Sequence, residues 1–116
     1  MPLNKPWQQY DAASPPRIPG TPGVFELGDT DGQVAYIGFA GGKSRYGLRS
    51  EIAARIAAIP GAAFRYEVNL MYLTRFVELL EKHYDLHGSL PASNTAPGEY
   101  VPGIVRRRVR AAPGGE

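Results

Sequence analysis

Residues 63–70 alternate strictly. Phe64, Tyr66, Val68 and Leu70 fall on one face, and Arg65, Glu67 and Asn69 on the other. A period of two residues predicts a strand with one solvated face. Two shorter runs precede it, residues 23–27 (Gly-Val-Phe-Glu-Leu) and 33–38 (Gln-Val-Ala-Tyr-Ile-Gly). Both are rich in the β-branched and aromatic residues that suit strands. They flank Gly28-Asp-Thr-Asp-Gly32, a cluster of turn formers, so a hairpin is predicted. The period then changes. Leu48, Ile52, Ile56 and Ile59 recur at helical spacing with alanines between them, predicting an amphipathic helix over 48–59 that Pro60-Gly61 ends. A second helix is predicted over 72–86. Its apolar stripe is Leu73, Phe76, Val77, Leu80 and Tyr84, with Arg75, Glu78, Lys82 and Asp85 opposite, and Gly88 and Pro91 stop it.

This pattern implies an α+β domain: a small three-stranded antiparallel sheet, flanked by helices on one face, in the order β-β-α-β-α. Residues 1–21 form a proline-rich arm in which Pro15, Pro16 and Pro19 forbid a continuous helix. Trp7 and Tyr10 are its only large rings and are expected to pin it to the domain. The domain proper spans 22–95. A Pro/Gly/Arg-rich segment follows over 96–116, in which Arg106, Arg107, Arg108 and Arg110 read as a strand edge or a tail. Val105 and Val109 among them predict partial packing.

Composition narrows the function classes. At 116 residues the chain suits one domain. The absence of cysteine excludes disulfides, thiolate zinc sites and a cysteine nucleophile. The first residues lack the apolar core of a signal peptide, and no apolar run is long enough to span a bilayer. A cytoplasmic protein with no membrane partner is expected. The formal net charge of +2 permits nucleic-acid binding without requiring it.

The loop over 39–47 alternates glycine with basic residues. Gly41-Gly42-Lys43-Ser44 echoes the end of a phosphate-binding P-loop, but the upstream glycine is at Gly38, at the wrong spacing. Lys43 and Arg45 instead read as contacts to a nucleic-acid backbone. His83 and His87, four apart, have a spacing that can bind metal. With no third ligand nearby, they read better as cations complementing a helix C-terminus.

The order of elements coincides with a motif. Gly23-Val24-Phe25 and Tyr36-Ile37-Gly38 resemble the two named tripeptides of the GIY-YIG nuclease family. A helix bearing arginine, a third strand, a helix bearing glutamate and a final asparagine after a proline complete the family pattern. Here Arg49, Glu78 and Asn94 of Pro91-Ala-Ser-Asn94 stand in those places, and the resemblance covers residues 22–94.

The resemblance implies a metal-dependent DNA endonuclease, assisted by a partner protein or a homodimer. It assigns the catalytic roles to Tyr36, Arg49 and Glu78. Tyr36 would take or relay a proton from the attacking water. Arg49 would clamp phosphoryl oxygens, and Glu78 would hold one Mg²⁺ or Mn²⁺. Gly38, Lys43, Arg45, Arg55 and Asn94 are the implied substrate contacts. Two registers stay open: Arg55 for Arg49, because reading Leu48 in register puts Glu51 in the arginine slot, and Glu81 for Glu78. Phe25 stands where the first tripeptide carries tyrosine. This supports the alternative, a catalytically degenerate nucleic-acid-binding or protein-interaction module on the same scaffold.

Overall fold

Val24, Phe25 and Leu27 give the first predicted strand apolar side chains on both faces, and it becomes the centre of the sheet. The structure, a computed structural model, describes residues 3–59 and 61–111. The elements are β1 (Gln8–Gln9), β2 (Gly23–Gly28), β3 (Val34–Ala40), α1 (Gly47–Ile56), β4 (Ala63–Val68), α2 (Tyr72–His87), a 3₁₀ turn at Ala92–Thr95, and α3 (Gly103–Ala111). The strands are antiparallel in the order β1-β4-β2-β3, and every residue of β2 is buried.

Five expectations are corrected. The sheet has four strands, not three: Gln8 and Gln9 of the arm pair with Phe64 and Ala63. Two glutamines carry no strand signal, so a neighbour more than fifty positions away decides this pairing. Helices cover both faces rather than one. Helix α1 packs Leu48, Ile52 and Ile56 on Phe25, Leu27 and Phe64, while α2 and α3 pack Phe76, Leu79, Leu80 and Val105 on Val24 and Ile37. The arginine-rich run is neither strand edge nor tail but helix α3, because Val105 and Val109, four apart, share a helical face toward α2. Finally, the stripe of α2 is rotated: Phe76, Leu79 and Leu80 are buried while Leu73 is exposed, and β4 ends at Val68, leaving Leu70 in solvent. The predicted stop at Pro60 and the tail beyond Ala111 lie outside the described residues.

The arm packs on the domain. Leu3 and Ile18 are buried, Tyr10 meets Phe64 edge-on at 6.0 Å, and Trp7 lies under the guanidinium of Arg65 at 3.9 Å. Arg65 also closes an ion pair with Glu26, its cross-strand partner, at 2.7 Å. Burial pushes the Glu26 carboxyl above its ordinary range, and Arg65 opposes that shift.

Candidate functional site

Strand β3 is the outer edge of the sheet, and an unpaired edge leaves backbone groups without partners. Asn94 resolves this at one point. Its side chain is buried, accepts from Ile37 N–H at 2.8 Å and donates to the Ile37 carbonyl at 2.9 Å. The amide thus stands in for a neighbouring strand and fixes β3 between Tyr36 and Gly38. On the face toward α1, Gly38 lies beneath two rings. A Cβ there would come within 2.4 Å of Phe25 Cζ and 2.8 Å of Tyr36 Cε2. Gly38→Ala is therefore expected to displace both rings and destabilise the domain, read as a fall in Tm together with altered tyrosine fluorescence.

The Tyr36 ring is 7% exposed, and its hydroxyl donates to Glu99 Oε1 at 2.9 Å. Glu99 Oε2 accepts from Arg55 Nη1 at 2.7 Å, and the Arg55 guanidinium lies over the Tyr36 ring at 5.3 Å. Arg55 and Glu51 are four apart on α1, so they share the face beside Tyr36 while Leu48, Ile52 and Ile56 turn inward. Glu51 Oε2 accepts from Ser44 Oγ at 3.0 Å. Glu99 is presented by a tight turn. Its N–H donates to the Ala96 carbonyl at 3.2 Å, with Pro97 and Gly98 in the central positions and Gly98 at φ +88°. That Pro–Gly pair and positive φ are what a type II turn requires.

Burial, foremost, raises the Tyr36 hydroxyl far above the ordinary tyrosine range. The hydrogen bond to Glu99 and the charges of Glu99 and Glu51 add to this, and Arg55 opposes it. In this arrangement Tyr36 is a proton donor in a hydrogen bond, not a base at neutral pH.

These groups line one side of a cleft of about 530 Å³ that wraps the β3 edge between α1 and α2. The other side is aromatic. Phe39 stacks on Tyr72 at 5.8 Å and meets Phe76 at 4.8 Å, and Phe76 lies parallel to Tyr100 at 6.3 Å. Tyr100 is 55% exposed at the mouth, and Lys43 and Ser44 of the glycine-rich loop close the rim.

Of the residues assigned by resemblance, Tyr36, Arg55 and Lys43 border this cleft, and Gly38 and Asn94 shape β3 beneath it. Arg45 is exposed beside Tyr46. Arg49 and Glu78 are elsewhere. Arg49 Nε donates to the Ile18 carbonyl at 3.0 Å, in a separate hollow formed with the arm. Glu78 pairs with Arg75 at 3.2 Å on the far side of α2, and Glu81 lies 3.9 Å from Arg108 of α3. The triad Tyr36, Arg49 and Glu78 does not converge, because α2 presents Tyr72, Leu73 and Phe76 to the cleft and turns its glutamates outward. His83 donates from Nδ1 to the Ser89 carbonyl at 2.8 Å, beyond the end of α2, with the His87 ring 4.4 Å away.

The same geometry bears on the implied metal ion. Both oxygens of Glu99 are engaged by Tyr36 and Arg55, Glu51 is held by Ser44, and Glu78 is remote. Among the described residues no cluster of three His, Cys, Asp or Glu could hold a metal. The side chains so arranged do not fit the ion where the resemblance would put it.

Glu99, Tyr72 and Tyr100 were not legible as site residues. The only signal was Pro97-Gly98, a turn dipeptide that places the following acid at a fixed point.

The fold and cleft define an α+β domain with an aromatic cleft at the edge of its sheet, in which Lys43 and Arg55 face Glu51 and Glu99. Residues 1–86 match the family described as a domain of unknown function, DUF7508, and the chain belongs to that family. No curated protein and no solved structure matches it. Among the described residues no helix is long and apolar enough to cross a membrane.

Proposed function

We propose that this domain binds nucleic acid at the β3 cleft and does not cut it, a GIY-YIG-like scaffold that keeps Tyr36 and lacks the hydrolytic centre. The observation that carries this reading is the composition of the cleft. Stackable rings and the cations Lys43 and Arg55 meet there, the acids Glu51 and Glu99 being held by Ser44 and Arg55, while no glutamate of α2 faces it. A base can stack on an aromatic side chain whatever its identity, and arginine and lysine track the backbone. The buried Tyr36, whose hydroxyl donates to Glu99, and the absence of a hydroxyl at Phe25 fit binding better than proton transfer. A cytoplasmic location suits such a ligand.

The test uses a fluorescent (dT)12 oligonucleotide and a supercoiled plasmid. Salt-sensitive binding is expected, and Lys43, Arg45 and Arg55 as three phosphate contacts would give a log–log slope of about −2. Tyr100→Ala should weaken binding roughly 5- to 150-fold, the worth of one stacked base. Plasmid incubated with Mg²⁺ or Mn²⁺ should stay supercoiled. Nicking that disappears in Arg55→Ala would establish the endonuclease instead. Absence of any oligonucleotide binding would leave a protein-interaction role.

A further inference from the structure

We infer that Glu99 occupies the anion subsite of this cleft, as an internal stand-in for the phosphate that Arg55 and Tyr36 are arranged to receive. The ligand class, a phosphoryl group next to a stackable base, rests on the nucleic-acid reading. The occupation of the subsite by a carboxylate rests on geometry alone.

Two donors converge on one carboxylate: the Tyr36 hydroxyl reaches one oxygen at 2.9 Å and Arg55 Nη1 the other at 2.7 Å. A guanidinium and a hydroxyl gripping neighbouring oxygens is also how a phosphoryl group is held. The donors belong to the rigid part of the molecule, since Tyr36 sits on β3 and Arg55 on α1. The acceptor does not. Glu99 lies on a surface turn between the 3₁₀ turn and α3, and Ala96, Pro97 and Gly98 are all exposed. Its carboxylate can leave without disturbing the sheet. The same connection places Tyr100 at the cleft mouth, so displacing Glu99 and re-aiming a stacking ring are one movement. Glu51, one turn before Arg55 on α1, is held by Ser44 of the glycine-rich loop, so a second negative charge borders the subsite, with Lys43 on the same rim.

The consequence is competition. If the carboxylate holds the subsite in nine molecules of ten, the apparent affinity for an entering anion falls about tenfold. Glu99→Gln removes the charge and nearly keeps the shape, and Glu99→Ala opens the subsite outright.

The experiment follows the Arg55 Nε–H resonance of full-length protein during titration with inorganic phosphate, and in parallel measures (dT)12 binding. Wild type should respond weakly to phosphate. Glu99→Gln and Glu99→Ala should respond at about tenfold lower concentration, and should bind (dT)12 more tightly by the same factor. Glu99→Ala combined with Arg55→Lys should lose that gain, because a lysine presents a single point charge in place of the fork. Unchanged or weaker phosphate response in both Glu99 variants, with Tm near wild type, overturns the inference even if (dT)12 binds. A phosphate response gained in those variants without (dT)12 binding by any form keeps the anion subsite and sinks the nucleic-acid reading.

Discussion

Asn94→Ala is expected to lower the stability of the domain by roughly 2–6 kcal/mol. The side chain is 1% exposed and satisfies both the N–H and the carbonyl of Ile37, itself fully buried. Alanine would leave two buried backbone groups without partners, each costing about 1–3 kcal/mol. For a chain of this size that is a fall in Tm of about 10–25 °C. Asn94→Asp should be no milder. It keeps an acceptor for Ile37 N–H but turns a carboxylate toward the Ile37 carbonyl, where the amide donated. Thr95→Ala is the control. The threonine is exposed, bonds only to the Ala92 carbonyl of its own turn, and should change stability by less than about 1 kcal/mol. Thermal and urea unfolding measure all three. If Asn94→Ala melts with wild type, the 3₁₀ turn does not hold β3 as described, and the cleft built on that strand loses its floor.

Arg65→Met should cost about 3–5 kcal/mol at neutral pH, because it leaves a buried carboxylate unpaired. Glu26 and Arg65 have side-chain exposures of 4% and 17%, and the arginine also covers Trp7. The pH dependence follows from Glu26. Its folded pKa is raised by burial, so the folded state binds a proton more readily than the unfolded chain does. That contribution is fully present below the ordinary carboxyl value of 4.5 and is lost as pH climbs from there through the raised value. Removing Arg65 raises the carboxyl further. The deficit of Arg65→Met against wild type should therefore be greatest near neutrality and shrink as pH falls toward 4. Glu26→Leu combined with Arg65→Met should recover most of it, since a well-packed apolar pair removes the charge altogether. A deficit independent of pH would mean that the loss comes from the packing of Arg65 on Trp7 and not from Glu26.

The elements that repeat their pattern over several turns or residues were readable directly. Leu48, Ile52 and Ile56 gave α1, and Phe64 with its alternating neighbours gave β4, because burial of one face imposes the period. The hairpin was readable for a different reason, since the turn formers Gly28-Asp-Thr-Asp-Gly32 separate two runs of strand-forming residues. The candidate site was legible in part. A short motif picks out Tyr36, Gly38 and Asn94, and the structure gathers them on and beside β3, but Asn94 is sealed against the Ile37 backbone where the resemblance implied a substrate contact. The cationic partner did not follow. Arg49 and Arg55 lie six positions apart on one helix, and only the docking of α1 through Leu48 and Ile52 shows that Arg55 faces Tyr36 and Arg49 faces the arm.

By itself the sequence determined an α+β domain, its main strands and two of its helices, since local periodicity and turn chemistry suffice for these. Only tertiary structure decided the rest. It recruited Gln8 and Gln9 into the sheet, put helices on both of its faces, turned Glu78 and Glu81 outward, and carried Glu99 across sixty-three positions to meet Tyr36. The physical reason is range. A residue's own neighbours set the conformation of its backbone, but what its side chain meets depends on how separate elements bury their apolar faces together, and no local pattern encodes that rotation.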